Sequence, residues 1–204
     1  QTLRSGVAVY KKQEGFSLIE LMVIVSVLAL ALGLGIPAFN DMLGNSRMST
    51  TVNDLVSSLH AARGEAITRR ATVVLCPTNA AETDCRADGD LEAGWLVFVD
   101  SNDDGSPDAG EAILQRHGPI DAAADLDLDV FPGDSAGRVA FSSGGTLRIA
   151  ESTTDIQICD ARGDRDTGRG VAAGRWIRIQ PTGQPEIRRL RAEDIHARCG
   201  QVGL

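Results

Sequence analysis

The sequence predicts an α+β protein in which a long N-terminal helix packs on an antiparallel β-sheet domain. Three observations carry this expectation. Residues 16 to 39 form one apolar segment holding a single carboxylate, Glu20. The apolarity then becomes periodic: Met48, Val52, Leu55, Val56, Leu59, Ala62, Ala66 and Ile67 recur at three- and four-residue steps, the mark of an amphipathic helix. From residue 71 onward, short alternating or apolar runs are separated by turns rich in glycine, proline and aspartate, the mark of strands.

The first segment is long enough to cross a membrane. A hydrocarbon core needs about 20 mostly apolar residues at ~1.5 Å rise each, and residues 16 to 39 meet that with some tilt. Glu20 then lies one turn inside, where an ionised carboxylate costs on the order of 2.5–3.5 kcal/mol. Such a residue calls for a partner. Ahead of the segment stand Arg4, Lys11 and Lys12 against Glu14 alone, so positive-inside bias keeps residues 1–15 cytoplasmic and sends the rest outward. A secretory signal would place its cleavage site after the apolar run. Here the sharp chemical boundary, Gly15 to Phe16, comes before it. The chain opens on Gln1 without a methionine, so the true start of the leader is left open.

Beyond the anchor, the second helical stretch spans residues 40–70. Pro37 removes a helix hydrogen bond, and Gly33, Gly35 and Gly44-Asn45 weaken the helix nearby, so a kink or melted patch is expected between about 33 and 46. The domain of residues 71–204 carries eight expected strands: Ala71 to Cys76, Gly94 to Val99, Ala112 to Arg116, Leu126 to Phe131, Arg138 to Ser142, Thr146 to Ile149, Asp155 to Cys159 and Arg175 to Gln180.

Charge is unevenly placed along the 204 residues. Without the leader's three basic residues and one acid, 17 basic residues face 27 acidic ones, a net of −10. Residues 161 to 204 hold nine arginines against five acids, so residues 16 to 160 carry −14. An acidic body disfavours general nucleic-acid binding, while a basic C-terminal stretch leaves a local patch open. Four cysteines, Cys76, Cys85, Cys159 and Cys199, lie on the oxidising side of the expected membrane, where an even count points to disulfides. Of the three pairings, Cys76 with Cys85 and Cys159 with Cys199 is preferred. The first closes a short loop, and the second staples the C-terminal tail.

The run Gly15-Phe16-Ser17-Leu18-Ile19-Glu20 resembles the class III signal of type IV pilins and type II secretion pseudopilins. The resemblance implies that a prepilin peptidase cuts between Gly15 and Phe16 and methylates the new amine on Phe16. It also implies that Glu20 pairs with that amine on a neighbouring subunit, and a carboxylate in low dielectric gains most from a fixed cation. Further along, Leu59-His60-Ala61-Ala62-Arg63-Gly64-Glu65-Ala66-Ile67-Thr68-Arg69, Val73-Val74-Leu75-Cys76, Gly94-Trp95-Leu96-Val97-Phe98-Val99-Asp100 and Glu111-Ala112-Ile113-Leu114 resemble the FimT/GspH family of minor pilins and pseudopilins. The implied fold is pilin-like. The implied location is the inner membrane, single-pass with a periplasmic domain, and then a pilus or pseudopilus fibre. Implied partners are prepilin peptidase, major and minor pilins or pseudopilins, and inner-membrane lipid. A minor pilin of a type IV pilus is the first reading, favoured by Pro37 within Ile-Pro-Ala-Phe; the alternatives are a type II secretion pseudopilin and a DNA-binding pilin for natural transformation acting through the arginine-rich C-terminal region.

Two further stretches carry candidate chemistry. Residues 100 to 111 match the spacing D-x-[DN]-x-[DN]-G-x5-E of a calcium loop. Asp100, Asn102, Asp104, the Ser106 carbonyl, Asp108 and Glu111 would supply oxygens around the turn at Gly105. The flanks read as strands rather than the helices of an EF-hand, so a solvated acidic turn is the competing reading. No organic cofactor is expected. The second stretch is Arg175, Arg178, Arg188, Arg189 and Arg191, a candidate DNA-binding region on a mobile arginine-rich tail, with Trp176 available to stack a base. Some FimT-family members bind DNA through a Gly-Arg-x-Arg motif, but Gly174-Arg175-Trp176-Ile177-Arg178 is one residue longer. A regular strand would therefore point Arg175 and Arg178 to opposite faces. Catalysis finds no motif: His60, His117 and His196 are scattered, and neither a nucleophile elbow nor a phosphate loop appears.

Overall fold

A computed structural model describes residues 15–86, 88–121, 126–131, 137–148, 154–160, 162 and 171–191. It divides into two compact units, Gln1–Met42 and Leu43–Leu204. One helix, α1 (Leu18–Arg69), is assigned without a break through Gly33, Gly35, Pro37 and Gly44. The melted patch expected there is therefore absent. Proline forfeits only its own amide's bond, and the turns on either side keep theirs.

α1 ends in a cap that its sequence does not advertise. Arg70 adopts φ 54°, and the Ala71 N–H donates to the Ala66 carbonyl at 3.3 Å, the long bond of a Schellman motif. Glycine usually fills that left-handed position, since a side chain there is strained.

Eight strands follow: β1 (Thr72–Pro77), β2 (Trp95–Asp100), β3 (Ile113–His117), β4 (Leu126–Phe131), β5 (Val139–Phe141), β6 (Thr154–Asp160), β7 (Val171–Ile179) and β8 (Pro185–Arg191). They form two antiparallel four-stranded sheets, ordered β3-β2-β1-β5 and β4-β6-β7-β8. Periodicity finds strands but not their long-range partners, so the split into two sheets is not readable from it. Of the strand expected over Thr146 to Ile149, the described part is a bridge between Phe141 and Leu147, flanked by the Ser142 N–H donating to the Thr146 carbonyl at 2.8 Å and the Arg148 N–H to the Ala140 carbonyl at 2.9 Å; Ile149 lies outside the described residues. The Leu147 N–H points the other way and donates to the Pro181 carbonyl at 3.0 Å. The arginines of β8 read in the sequence as a tail, yet they lie on an edge strand.

The core lies between the second half of α1 and both sheets. Met48, Val52, Leu55, Leu59, Ala62 and Ala66 are buried against Val73, Leu75, Trp95, Val97, Phe141, Ile156, Ile158, Ile177 and Ile179. The alternate residues of β1 and β2, Val74, Cys76, Leu96 and Phe98, make a second cluster on the opposite face, as period-2 side chains must. Trp95 is held by two partners. It stacks on His117 with ring centroids 3.8 Å apart, and its indole N–H donates to Ser58 Oγ at 2.9 Å. Arg63 on α1 ties two turns together by donating to the Gly145 carbonyl at 2.9 Å and the Thr182 carbonyl at 3.2 Å. Gly183, at φ 78°, has no room for a Cβ, which would stand 2.0 Å from the Gly145 carbonyl oxygen.

Candidate functional site

The first candidate is the apolar part of α1. Phe16, Leu18, Ile19, Leu21, Met22, Val25, Leu28, Leu32 and Ile36 are all exposed, so none contributes to a core within this chain. This is the one described helix long and apolar enough to span a bilayer. Glu20 sits in its first turn, where a carboxylate is also favoured by the helix dipole. The Ser26 hydroxyl returns its hydrogen bond to the Met22 carbonyl at 2.8 Å, so it presents no unmet polar group to a lipid surface. Among the described residues, nothing lies within 4 Å of the place a Gly15 side chain would occupy.

The second is the loop joining β2 to β3. Asp100, the last residue of β2, is 2 % exposed, and its Oδ2 accepts the Gly105 N–H at 3.0 Å. Burial pushes its carboxyl above the usual aspartate range, against the pull of the Gly105 and Asp103 N–H groups. Gly105 turns at φ 79°. The Asn102 amide donates to Asp104 Oδ2 at 2.9 Å and to Asp108 Oδ2 at 2.8 Å. Glu111 closes the loop, accepting from the Ser101 N–H at 2.6 Å and from the Asp108 N–H at 3.1 Å. Asp103 pairs with Arg148. Among the described residues, no three His, Cys, Asp or Glu side chains are grouped as a bound metal ion requires.

The arginines are placed differently from the expectation. Arg178 makes a two-pronged pair with Asp155, Nε to Oδ1 at 2.8 Å and Nη2 to Oδ2 at 2.9 Å. Arg175 is buried, donating to the Ala173 and Gly174 carbonyls at 2.7 and 3.1 Å. Burial, then the nearby Arg189 and Arg162, lower its guanidinium below the ordinary arginine value. Arg188 pairs with Glu186 at 3.0 Å, Arg189 is exposed, and Arg191 ends β8. Trp176 is 5 % exposed, which removes the expected platform for a base. The patch is therefore broken up. Its middle residues are engaged by the fold itself, because β7 is an inner strand whose two faces both pack.

Cys76 and Cys85 are joined, with Cα atoms 5.6 Å apart, and the bond closes the loop after β1. Cys159 is also disulfide-bonded; Cys199, like His196, lies outside the described residues. One cluster escaped the sequence reading. Glu92, in the 3-10 turn Leu91–Ala93, has its carboxyl raised to about 7 by burial, then by the charges of Asp90 and Asp127. Asp127 is 35 residues away in the chain, so no local pattern could reveal the meeting.

The model of the GspH family, type II transport protein GspH, matches residues 51–189, from the middle of α1 into β8. The chain belongs to that family. A second model, the prokaryotic N-terminal methylation motif, matches residues 10–36 and so overlies the Gly15–Phe16 boundary and Glu20. Among solved structures, the Pseudomonas aeruginosa type IV minor pilin FimU is similar in two crystal forms. One has 20% identity and TM-score 0.52, covering 76% of this chain and 96% of that one. The other has 18% identity and TM-score 0.51, covering 74% and 98%. At these identities the likeness shows the shared fold of the GspH-family domain. No curated protein matches the chain in sequence.

Proposed function

We propose that this chain is a minor pilin of a type IV pilus. Residues 1–15 are the cytoplasmic leader, prepilin peptidase cuts between Gly15 and Phe16 and methylates the Phe16 amine, and residues 16–39 anchor the chain in the inner membrane. The periplasmic domain of residues 71–204 rides on the helix as it passes into the fibre among other pilins. The observation that carries this reading is the methylation-motif match over residues 10–36, laid on the first half of α1, where the large apolar side chains are exposed. An exposed apolar surface of that length needs lipid or other helices around it. Glu20 fits the second environment better, since a neighbouring subunit's terminal amine offers the cation that lipid tails lack.

No catalytic role is assigned. The test is Glu20→Ala in the full-length chain: the variant is processed to methylated Phe16, seen by mass spectrometry, yet fails to support normal piliation. Normal piliation with that variant removes the proposed pairing. A secretion pseudopilin is the second reading, favoured by the matched family's own description as a type II transport protein. A deletion strain separates the two, losing twitching motility in the first case and exoprotein secretion in the second.

A further inference from the structure

We propose that Arg175, Arg189 and Arg162 form a site for the phosphate of an anionic phospholipid headgroup. The proposal rests on the reading of residues 16–39 as a membrane anchor, and it starts from a buried cation whose needs the fold only half meets. Arg175 is 9% exposed, and among the described residues it donates only through Nη1, to the Ala173 and Gly174 carbonyls at 2.7 and 3.1 Å. Neither acceptor carries a charge. A buried guanidinium without a bonded anion is costly, and a phosphate can take two parallel N–H bonds from its planar fork.

Strand register brings a second arginine beside it. Arg175 on β7 and Arg189 on β8 are paired residues, so their side chains share one face of the sheet, and Arg189 is exposed at its edge. Like charges placed opposite one another destabilise a sheet, which an anion between them reverses. On the other side of Arg175, Ile158 of β6 is its register partner, and Asp160 lies two residues on, on that same face. Asp160 is already held by Arg162, through Nε at 2.9 Å and through Nη2. Among the described residues, one carboxylate therefore stands among three guanidiniums. Arg189 and Arg162 add to burial in lowering the Arg175 guanidinium, and Asp160 offsets them only in part.

The helix closes the site. Arg162 Nη1 donates to Asn45 Oδ1 at 3.0 Å, and a side chain at Gly44 would stand 3.1 Å from the same guanidinium. Glycine weakens a helix interior, and here it lets α1 approach the arginine. Gly44 follows Phe39, the end of the expected anchor, by five residues, so the chain itself holds the site within about 18 Å of the hydrocarbon edge. The headgroup layer begins at that edge and is about 5–8 Å deep. Phosphates there stand at a local concentration that no dilute solute matches, which favours a lipid over free phosphate. The net −14 over residues 16 to 160 repels a polyanion laid along the domain, whereas a headgroup brings a single phosphate.

The test is native mass spectrometry of the full chain released from a neutral detergent micelle, with phosphatidylglycerol and phosphatidylcholine titrated in turn. The wild type is expected to hold one phosphatidylglycerol at least about tenfold more tightly than phosphatidylcholine. Arg189→Gln alters an exposed side chain and so leaves the fold in place; it is expected to lose at least about tenfold in that affinity. Arg188→Gln removes the same charge from the opposite face of β8 and keeps the wild-type affinity. Equal affinity for the two lipids overturns the site, as does an equal loss in Arg188→Gln and Arg189→Gln, which would mark diffuse attraction to a basic strand. Displacement of the lipid by an equal concentration of inorganic phosphate or of a DNA oligonucleotide also overturns it, marking a free-phosphate or a nucleic-acid site. A full chain that stays soluble without detergent removes the anchor and with it the proposal, whereas the other outcomes remove the site alone.

Discussion

Replacing Arg178 by alanine separates a structural arginine from a nucleic-acid ligand. Arg178 and Asp155 are register partners on β7 and β6, and their two parallel hydrogen bonds are 2.8 and 2.9 Å long. Their side chains are 33% and 11% exposed. Removing one partner of a fully buried pair costs about 3–5 kcal/mol, because the other charge stays buried alone. A surface pair is worth about 0–1 kcal/mol. Here the acid is buried and the base partly wet, so Arg178→Ala should cost about 2 kcal/mol. The compact unit Leu43–Leu204 supplies a fragment for urea unfolding. In a domain of this size about 2 kcal/mol lowers the melting temperature by about 4–8 °C. Asp155→Asn introduced into Arg178→Ala should restore part of the loss, since it removes the stranded charge. An Arg178→Ala variant within about 0.5 kcal/mol of wild type, but with salt-dependent DNA binding abolished, would refute the structural assignment.

Three other outcomes follow from the same geometry. Cys76→Ala with Cys85→Ala opens a loop of sequence separation 9 and should cost about 2–3 kcal/mol by the loop-entropy relation, measured by denaturation with and without reductant. Arg70→Gly relieves a left-handed residue at φ 54° and should stabilise by about 0.5–1 kcal/mol, read as a higher urea midpoint. Glu92 binds its proton more tightly folded, at about 7, than unfolded, near 4.5. Its contribution is therefore complete below pH 4.5 and declines as pH rises to about 7, a slope that Glu92→Gln should flatten.

Legibility in the sequence followed the range of the interaction. The stripe from Met48 to Ala66 declared itself because a helix repeats its environment every three or four residues, and all six of its core residues are buried. Ile67, counted in the same stripe, is 47% exposed because the helix is ending there. β8 hid because arginine is the common sign of solvated chain, and also a usual guard on an edge strand. Ile187, opposite Ile177, was the signal available for it. The loop's acidic spacing is plain in the sequence, whereas the raised carboxyl of Asp100 depends on how deeply β2 is buried. Arg175 and Trp176 misled for the same reason: period-2 alternation says which residues share a face, not whether a face is covered.

The division of labour along α1 makes its two halves separable by experiment. Leu59 is fully buried among residues of both sheets, so Leu59→Ala removes apolar area and leaves a cavity, a loss of about 2–5 kcal/mol. A whole domain has only about 5–15 kcal/mol to lose, so this variant should reduce the amount of folded protein as well as any assembly. Glu20 touches no core, and its replacement should leave the melting curve of the domain where it was. Melting curves and fibre incorporation measured on both variants therefore form a matched pair. Loss of assembly in Glu20→Ala with unchanged melting places the defect in helix recognition. A lowered melting temperature in Glu20→Ala would mean that the apolar half supports the domain, contrary to the exposure of its side chains.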